Sequence, residues 1–457
     1  MSANSVTKQS QIKDFTQGNI TKQLVTFATP LFLSSLLQVV YNMVDMIVVG
    51  NVLGKVGLSA VSVGGDVSNV MTFIAMGYAN AGQVIISQYI GAKERDKIGK
   101  FVSTMSSFLL LCAIVLTVIC MVLRTQLLQW MNAPQEAFAE ALAYSTVCIA
   151  GLVFIYGYNL VSAVLRGMGD SKHPFIFISI AAVLNLVLDI IFVGGLGMGA
   201  AGAALATVIS QAVSFISCVI FLFNHKEEFA LDIKAEDFLH WDKEMLADLM
   251  KLGTPMAIKS AAIHFSKLFV NSWINSYGVA VSAFAGVANK FNSISNLISN
   301  SLNTAGSSMV GQNIAAKEFR RVKQILLRLF AITLTVAAII SVAIYFYPMQ
   351  IFSIFTQEEE VLKIAIDYVP IAVLIFFGSA CRAGMNALIN GSGNYRINFV
   401  TAVLDGIILR IGLSVLFGLV LDMKHIGFWL GDALAGFTPF VIGLVFYYSG
   451  LWKKGKK

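Results

Sequence analysis

The 457-residue chain has little charge, few cysteines and few histidines. Asp, Glu, Lys and Arg make up 12% of it, against about 25% in soluble domains, and the mean hydropathy is +0.76. This excludes an ordinary soluble protein. The five cysteines all lie in apolar runs without paired or metal-type spacing, which argues against a disulfide framework or a cysteine metal centre. No short apolar core with a small-residue cleavage site precedes the first run, so we expect that run to be a retained membrane span.

Long apolar runs are what the chain has in abundance. A membrane-crossing helix needs about 20 apolar residues, and runs of that order recur along the whole chain. They predict an all-α polytopic membrane protein with twelve transmembrane helices, at roughly 22–49, 58–88, 101–123, 138–165, 174–193, 200–223, 247–275, 280–311, 324–347, 361–389, 397–420 and 426–451.

The formal net charge of +7 is distributed unevenly between the loops. Basic residues cluster in alternate loops, for example at Lys93–Lys100 and Lys317–Lys323, whereas the intervening loops contain only Lys55, Arg124 and Lys424. The positive-inside rule then predicts that both termini are cytoplasmic, in a multi-pass protein of the plasma (inner) membrane. This explanation of the basic charge requires no nucleic-acid partner.

The two halves of the sequence repeat each other. QYIGAKE at 88–94 matches QNIAAKE at 312–318, and LRGMGDSKHPF at 165–175 matches INGSGNYRINF at 389–399, both 224 residues further on. Six spans per copy give parallel repeats with an expected cavity between them near the midplane. We therefore predict two pseudo-symmetric six-helix lobes around a central cavity: an N-lobe at 1–224, a cytoplasmic loop at 225–245 and a C-lobe at 246–457.

Oxygen-bearing side chains of the first half fall in one layer of the membrane. These residues are Asp45, Tyr144, Asp189 and Thr207, with Asn185 one turn from Asp189. A helix rise of about 1.5 Å per residue places the first four about 8 to 10 Å below the outer surface of the membrane. An acidic residue in hydrocarbon is a functional-site hypothesis by default, and two nearby carboxylates need a proton or cation between them. We predict a cation-coupling site here, with sodium or a proton as the ion. The alternative is that Asp189 only joins two helices by a hydrogen bond.

The second half offers different chemistry. Asn289, Asn292, Asn296, Asn300 and Asn303 form one helical stripe of amides, which either join helices or line a water-filled substrate cavity. Cationic and titratable groups also occur within its spans: Lys259, His264, Lys267, Lys290, Arg382, Asp405 and Arg410. Structural pairing is the default interpretation, for example of Asp405 with a lysine or with Arg410. The candidate substrate-cavity residues are Asn289, Asn292, Asn296, Asn300, His264 and Arg382.

The chain resembles the multidrug and toxic compound extrusion (MATE) family, within a superfamily that also contains lipid-linked precursor flippases. The resemblance lies in PLFLSSLLQVVYNMVDMIVVG (30–50), SQYIGAKERDKIG (87–99), LRGMGDSKHP (165–174) and LNLVLDIIFVGGLGMGAAGAALATVISQ (184–211). It implies two six-helix lobes, antiport of organic substrates, and a first-lobe cation site at Asp45, Asn185, Asp189 and Thr207 with Tyr144 nearby. If sodium is the coupling ion, Asp45, Asn185, Asp189 and Thr207 would also be its ligands. Another branch of the family uses acidic residues on helices 7 and 10. At the corresponding places this chain has His264 or Ile263 on helix 7, and Ser379, near Arg382, on helix 10. The resemblance therefore gives no support for a coupling site in the second lobe.

The sequence therefore predicts a monomeric secondary antiporter that exports small organic compounds or drugs in exchange for sodium ions or protons. We expect the protein to contact membrane lipid and a small organic substrate, and we expect no cofactor. One alternative is a flippase for a lipid-linked saccharide or other amphiphile, which the cationic residues of the second half keep open. A membrane-embedded enzyme is disfavoured because the five histidines, His173, His225, His240, His264 and His425, are scattered without metal-type spacing.

Overall fold

The computed structural model describes residues 11–131, 133–229, 231–233, 235–238, 241–355 and 358–454. Over these residues the chain consists of helices and short turns, without strands. The α-helices are α1 Ile20–Gly91, α2 Asp96–Trp130, α3 Phe138–Ala150, α4 Leu152–Gly167, α5 Lys172–Asp189, α6 Gly199–Asn224, α7 Lys243–Asn275, α8 Val279–Ala315, α9 Phe319–Phe346, α10 Pro348–Phe352, α11 Glu359–Gly391, α12 Tyr395–Val403, α13 Leu409–Val415, α14 Lys424–Ala435 and α15 Thr438–Ser449. His240, which lies in the predicted loop 225–245, falls outside the described residues, as do the chain ends at 1–10 and 455–457.

Each of the twelve predicted spans corresponds to a helical segment of the described chain. Helix α1 contains two spans, which meet at Gly54, where φ is 62°. Helices α3 and α4 form one span bent by 49°. The bend occurs at Gly151, where an added Cβ would lie 2.3 Å from a methyl carbon of Val208. The fifth and eleventh spans end in π-helical turns, at Ile190–Gly195 and Leu416–Val420.

The internal repeat seen in the sequence is also present in the backbone conformation. Positive φ angles recur in pairs that are 224 residues apart, at Gly54 and Gly278, Lys93 and Lys317, and Gly169 and Gly393. Close helix contacts recur with the same separation. A Cβ at Gly167 would lie 2.9 Å from the carbonyl oxygen of Gln83, and one at Gly391 would lie 2.7 Å from that of Ser307. The predicted repeat is therefore present in both conformation and packing.

The chain forms two compact units. The first comprises Met1–Asp14, as far as it is described, and Thr29–Gly253; the second comprises Phe15–Ala28 and Thr254–Lys457. Residues 15–28 belong to the second unit because Arg321 donates hydrogen bonds to the carbonyl oxygens of Phe15 (2.9 Å) and Gln17 (2.8 Å). The predicted lobe limits, 1–224, 225–245 and 246–457, were drawn from the apolar runs and the repeat and stay a prediction.

The segment between the two repeats packs within the first unit. Ser107 of α2 donates to the carbonyl oxygen of Phe238 (2.8 Å), and Lys100 forms an ion pair with Asp242 (2.9 Å). Asp242 also accepts hydrogen bonds from the N–H groups of Glu244 and Met245, each at 3.0 Å. It thus caps the start of α7 and ties that start to α2.

Candidate functional site

Two carboxylates of the first unit are buried among apolar helices. Asp45 on α1 is 6% exposed and Asp189 on α5 is 0% exposed. Within the described chain, Asp45 Oδ1 and both carboxylate oxygens of Asp189 have no hydrogen-bond partner. The two side chains lie within electrostatic range of each other. A buried polar atom without a partner is costly, so the arrangement accepts a proton or a cation readily.

Asp189 occupies a junction in the helix. It is the last residue of α5 and is followed directly by the π-helical turn Ile190–Gly195, a wider turn that is frequent at functional sites. The chain then reverses into α6, where the Glu140 carboxylate accepts a hydrogen bond from Ala200 N–H at 2.7 Å. A negative charge at a helix N-terminus is favourable, so Glu140 fixes the start of α6 relative to α3.

Asn185 and Thr207 join the two helices that follow each other through this turn. Asn185 is buried and donates from Nδ2 to Oγ1 of the half-buried Thr207 at 3.4 Å. Both residues line a small cleft in the first unit, together with Tyr41, Ile178, Ala181, Ala182, Ser210 and Gln211. The cleft places amide and hydroxyl oxygens beside the helix that carries Asp189.

Tyr144 lies on α3, buried against α1. An added Cβ at Gly64 would lie 2.5 Å from a ring carbon of Tyr144, which shows how closely the ring packs. The tyrosine is within electrostatic range of Asp45. Of the five predicted coupling residues, Asp189 and Tyr144 thus each lie within electrostatic range of Asp45, and Asn185 is hydrogen-bonded to Thr207. Their role in coupling stays a prediction.

Two further residues lie at the site that were not among the predicted ones. Tyr41 and Gln211 lie in the same cleft, and Tyr41 is within electrostatic range of Asp45. Their spacing is a signal that was available, since each lies four residues from a predicted site residue, Tyr41 from Asp45 and Gln211 from Thr207. Residues four apart share a helix face.

The candidate cavity residues of the second unit are only partly gathered. Arg382 on α11 donates from Nη2 to Asn296 Oδ1 on α8 at 2.8 Å and to Ser379 Oγ at 3.3 Å. Asn292 is half-buried, Asn289 and Asn300 are exposed, and His264 is half-buried on α7. The predicted pairing of Asp405 with Arg410 is confirmed, with 2.9 Å between Oδ1 and Nη2.

The family model MatE matches residues 30–191 and, a second time, residues 255–416. The chain belongs to the MATE family. Both matches begin at a proline, Pro30 and Pro255, so the family pattern repeats in step with the two halves. The all-helical, two-lobe fold predicted from the sequence is confirmed by this match, and the MATE chain is a multi-pass membrane transporter.

Full-length relatives support the assignment. The MATE chain is 29% identical over 444 residues to "Probable multidrug resistance protein YpnP" of Bacillus subtilis, covering 97% of this chain and 98% of the relative. It is 22% identical over 413 residues to "Multidrug export protein MepA" of Staphylococcus saprophyticus, covering 90% of each. The solved structure of a MOP superfamily transporter from Pyrococcus furiosus has the same fold, with a TM-score of 0.89 and 22% identity over 98% of this chain and all of that one.

Proposed function

We propose that this MATE protein is a secondary active antiporter that exports small organic compounds in exchange for sodium ions or protons by alternating access. The observation that carries the proposal is the pair of buried carboxylates, Asp45 and Asp189, of which Asp45 Oδ1 and both oxygens of Asp189 have no hydrogen-bond partner within the described residues. The relatives named for multidrug resistance and export support the direction of transport.

The coupling ion is a transported substrate in this scheme. The donors around the site are carboxylate, amide and hydroxyl oxygens, which suit a hard cation such as sodium. Asp45, Asn185, Asp189 and Thr207 would hold a sodium ion; in proton coupling the same two carboxylates would share a proton. Either ion relieves the repulsion between Asp45 and Asp189.

Ion binding has to favour one state of the transporter to drive export. A ligand shifts a conformational equilibrium only through its different affinity for the two states. Asp45 lies on α1, while Asp189 lies at the π-helical turn between α5 and α6. An ion held by residues from all three helices would draw these helices together and so change the stability of one state. We further propose that the protein acts as a monomer in the plasma membrane, with both termini in the cytoplasm.

The test is dye accumulation in inverted membrane vesicles, with fluorescent organic dyes of both charges and an imposed outward sodium or proton gradient. We expect one of the two gradients to drive accumulation by the wild type. We expect a loss of about tenfold or more in both Asp45→Asn and Asp189→Asn. Glu140→Gln is the matched control, since an amide oxygen there still accepts from Ala200 N–H. Undiminished gradient-driven accumulation in both aspartate variants would remove these residues from coupling.

A further inference from the structure

A cluster of charged side chains lies within the second unit. At its centre is Arg410 on α13, which is 2% exposed. Its guanidinium binds the carboxylates of both Asp405 and Asp432. Asp405 is 0% exposed and the Asp432 side chain 15% exposed. The two negative charges of the cluster are therefore both engaged with one arginine.

Three further cations of the second unit lie close enough to this triad to interact with it electrostatically. Lys259 and Lys267 on α7 and Arg382 on α11 are all within electrostatic range of Asp405 and Arg410. Within the described chain, none of the three forms a salt bridge. With four cations and two carboxylates, the cluster has a formal net charge of +2.

The hydrogen bonds of Lys259 and Arg382 leave part of their donor capacity unused. Lys259 Nζ donates to Asn386 Oδ1 at 2.7 Å, and Arg382 donates from Nη2 to Asn296 and Ser379. These acceptors are neutral. A lysine has three N–H donors and an arginine five, so each of these side chains retains donors for a further partner.

We propose that this cluster binds the negatively charged group of the transported substrate, which is an organic anion carrying a carboxylate, sulfonate or phosphate. The inference rests on the antiport function proposed above and names its substrate class. Unpaired cations inside a membrane protein are costly and mark substrate or ion pathways. A cationic compound would be repelled by a net charge of the same sign, whereas an anion would pair with Lys259, Lys267 and Arg382. The amides of Asn296 and Asn386 would orient the cationic side chains toward it.

The test is equilibrium binding to the purified full-length protein in non-ionic detergent, without any ion gradient. Carboxyfluorescein is the anionic probe and rhodamine 6G the cationic one, and both are followed by fluorescence anisotropy. We expect the wild type to bind carboxyfluorescein in preference to rhodamine 6G. Arg382→Gln and Lys267→Gln should each weaken carboxyfluorescein binding about ten- to hundredfold, since a hydrogen bond to a charged group is lost.

Matched variants separate recognition of charge from loss of fold. Lys363→Gln removes a cation from the same helix as Arg382, but one that is exposed and paired with Glu359, and it should leave binding unchanged. Arg382→Lys keeps the charge and should retain most of the affinity. Should the glutamine variants fail to fold, the preference of the wild type between the two probes decides.

Competition identifies the source of the anion. Displacement of carboxyfluorescein by phosphatidic acid in mixed micelles would assign a lipid headgroup, and displacement only by soluble benzoate or naphthalene sulfonate would assign a soluble organic anion; both support the proposal. Preferred binding of rhodamine 6G by the wild type, or equal loss of both probes in Arg382→Gln, would overturn it. Because no gradient is used, that result would leave the antiport proposal standing.

Discussion

Arg410 shows how a membrane protein accommodates a charge at the scale of a single residue. Its guanidinium binds two carboxylates from different helical segments, Asp405 in the π-helical turn Leu404–Ile408 and Asp432 in α14. A third hydrogen bond runs from Nε to the backbone carbonyl oxygen of Asp405 at 3.3 Å. Removing the arginine would leave two buried carboxylates without their cation, which is the costly way to break an ion pair.

We therefore predict that Arg410→Met destabilises the protein by about 3–5 kcal/mol. The measurement is the thermal midpoint of the detergent-purified protein. Lys363→Met is the control, because its pair with Glu359 is exposed and such pairs contribute about 0.3–0.5 kcal/mol. An Arg410→Met protein as stable as the control would show that the two carboxylates do not depend on the arginine.

Some of these residues can be recognised from the sequence and others cannot, for physical reasons. Asp45, Asp189 and Arg410 stand out because a charge is rare inside an apolar run. Asp432 was missed as a partner because it lies 22 residues after Arg410 and meets it only when α14 packs against α13. Tyr41 and Gln211 were missed because a phenol or an amide in a membrane helix does not by itself indicate a site.

Among the elements, the close crossings of helices depend on glycine. Gly391 at the end of α11 approaches the Ser307 carbonyl oxygen of α8 so closely that a Cβ would lie 2.7 Å away. Gly412 in α13 has no neighbouring atom within 4 Å of the Cβ position. The two glycines therefore differ in what they contribute: one permits a contact, while the other only lowers helix propensity.

We predict opposite signs for the two alanine substitutions. Gly391→Ala should destabilise by about 1–3 kcal/mol through overpacking against backbone. Gly412→Ala should stabilise by up to about 1 kcal/mol through helix propensity. Thermal midpoints of the two variants, measured side by side with the wild type, check both signs. Equal shifts in the same direction would contradict the packing argument.

The start of α7 gives a prediction with a pH dependence. Hydrogen bonds from the N–H of Met245 and from Lys100 lower the pKa of Asp242. A carboxyl whose pKa is lowered on folding stabilises the protein above its unfolded pKa, near 3.9. That stabilisation is lost as the pH falls through the folded value. We expect Asp242→Ala to cost about 1 kcal/mol at pH 7, measured as a lower thermal midpoint.

The same comparison at low pH tests the cause. The difference in thermal midpoint between wild type and Asp242→Ala should shrink as the pH is lowered below about 4, where the carboxylate becomes protonated. A difference that stays constant down to pH 3 would mean that the side chain acts by packing and not by charge.

Helix identity was predictable from the sequence, but helix shape was not. The apolar runs located every span because membrane-crossing length is a strong signal. They did not reveal that the fifth and eleventh spans end in π-helical turns. A π-helical turn arises from a local shift in backbone hydrogen bonding, which leaves no period in the hydrophobic pattern.

For the molecule as a whole, the two repeats share a backbone design and differ in charge. Positive-φ residues and glycine contacts recur 224 residues apart. Yet the first unit buries Asp45 Oδ1 and both carboxylate oxygens of Asp189 without a partner in the described chain, while the second has Lys259, Lys267 and Arg382 within electrostatic range of the cluster at Asp405 and Arg410. Duplication explains the common fold. The difference in charge matches the two roles proposed above, in which the first unit binds the coupling cation and the second binds the substrate.

The orientation of the molecule in the membrane is predicted from the distribution of basic residues between its loops, and it can be tested directly. Lys93 lies in the turn after α1 and Lys97 in the first turn of α2, whereas the bend at Gly54 has only Lys55 beside it. The positive-inside rule places the connection between α1 and α2 in the cytoplasm and the bend at Gly54 outside. In a variant whose five cysteines are replaced by alanine, Lys55→Cys should react with a membrane-impermeant maleimide in intact cells. Lys97→Cys should react only after permeabilisation. The reverse pattern would invert the topology and place Asp45 and Asp189 near the cytoplasmic surface, where an inwardly directed cation gradient would no longer load the site from outside.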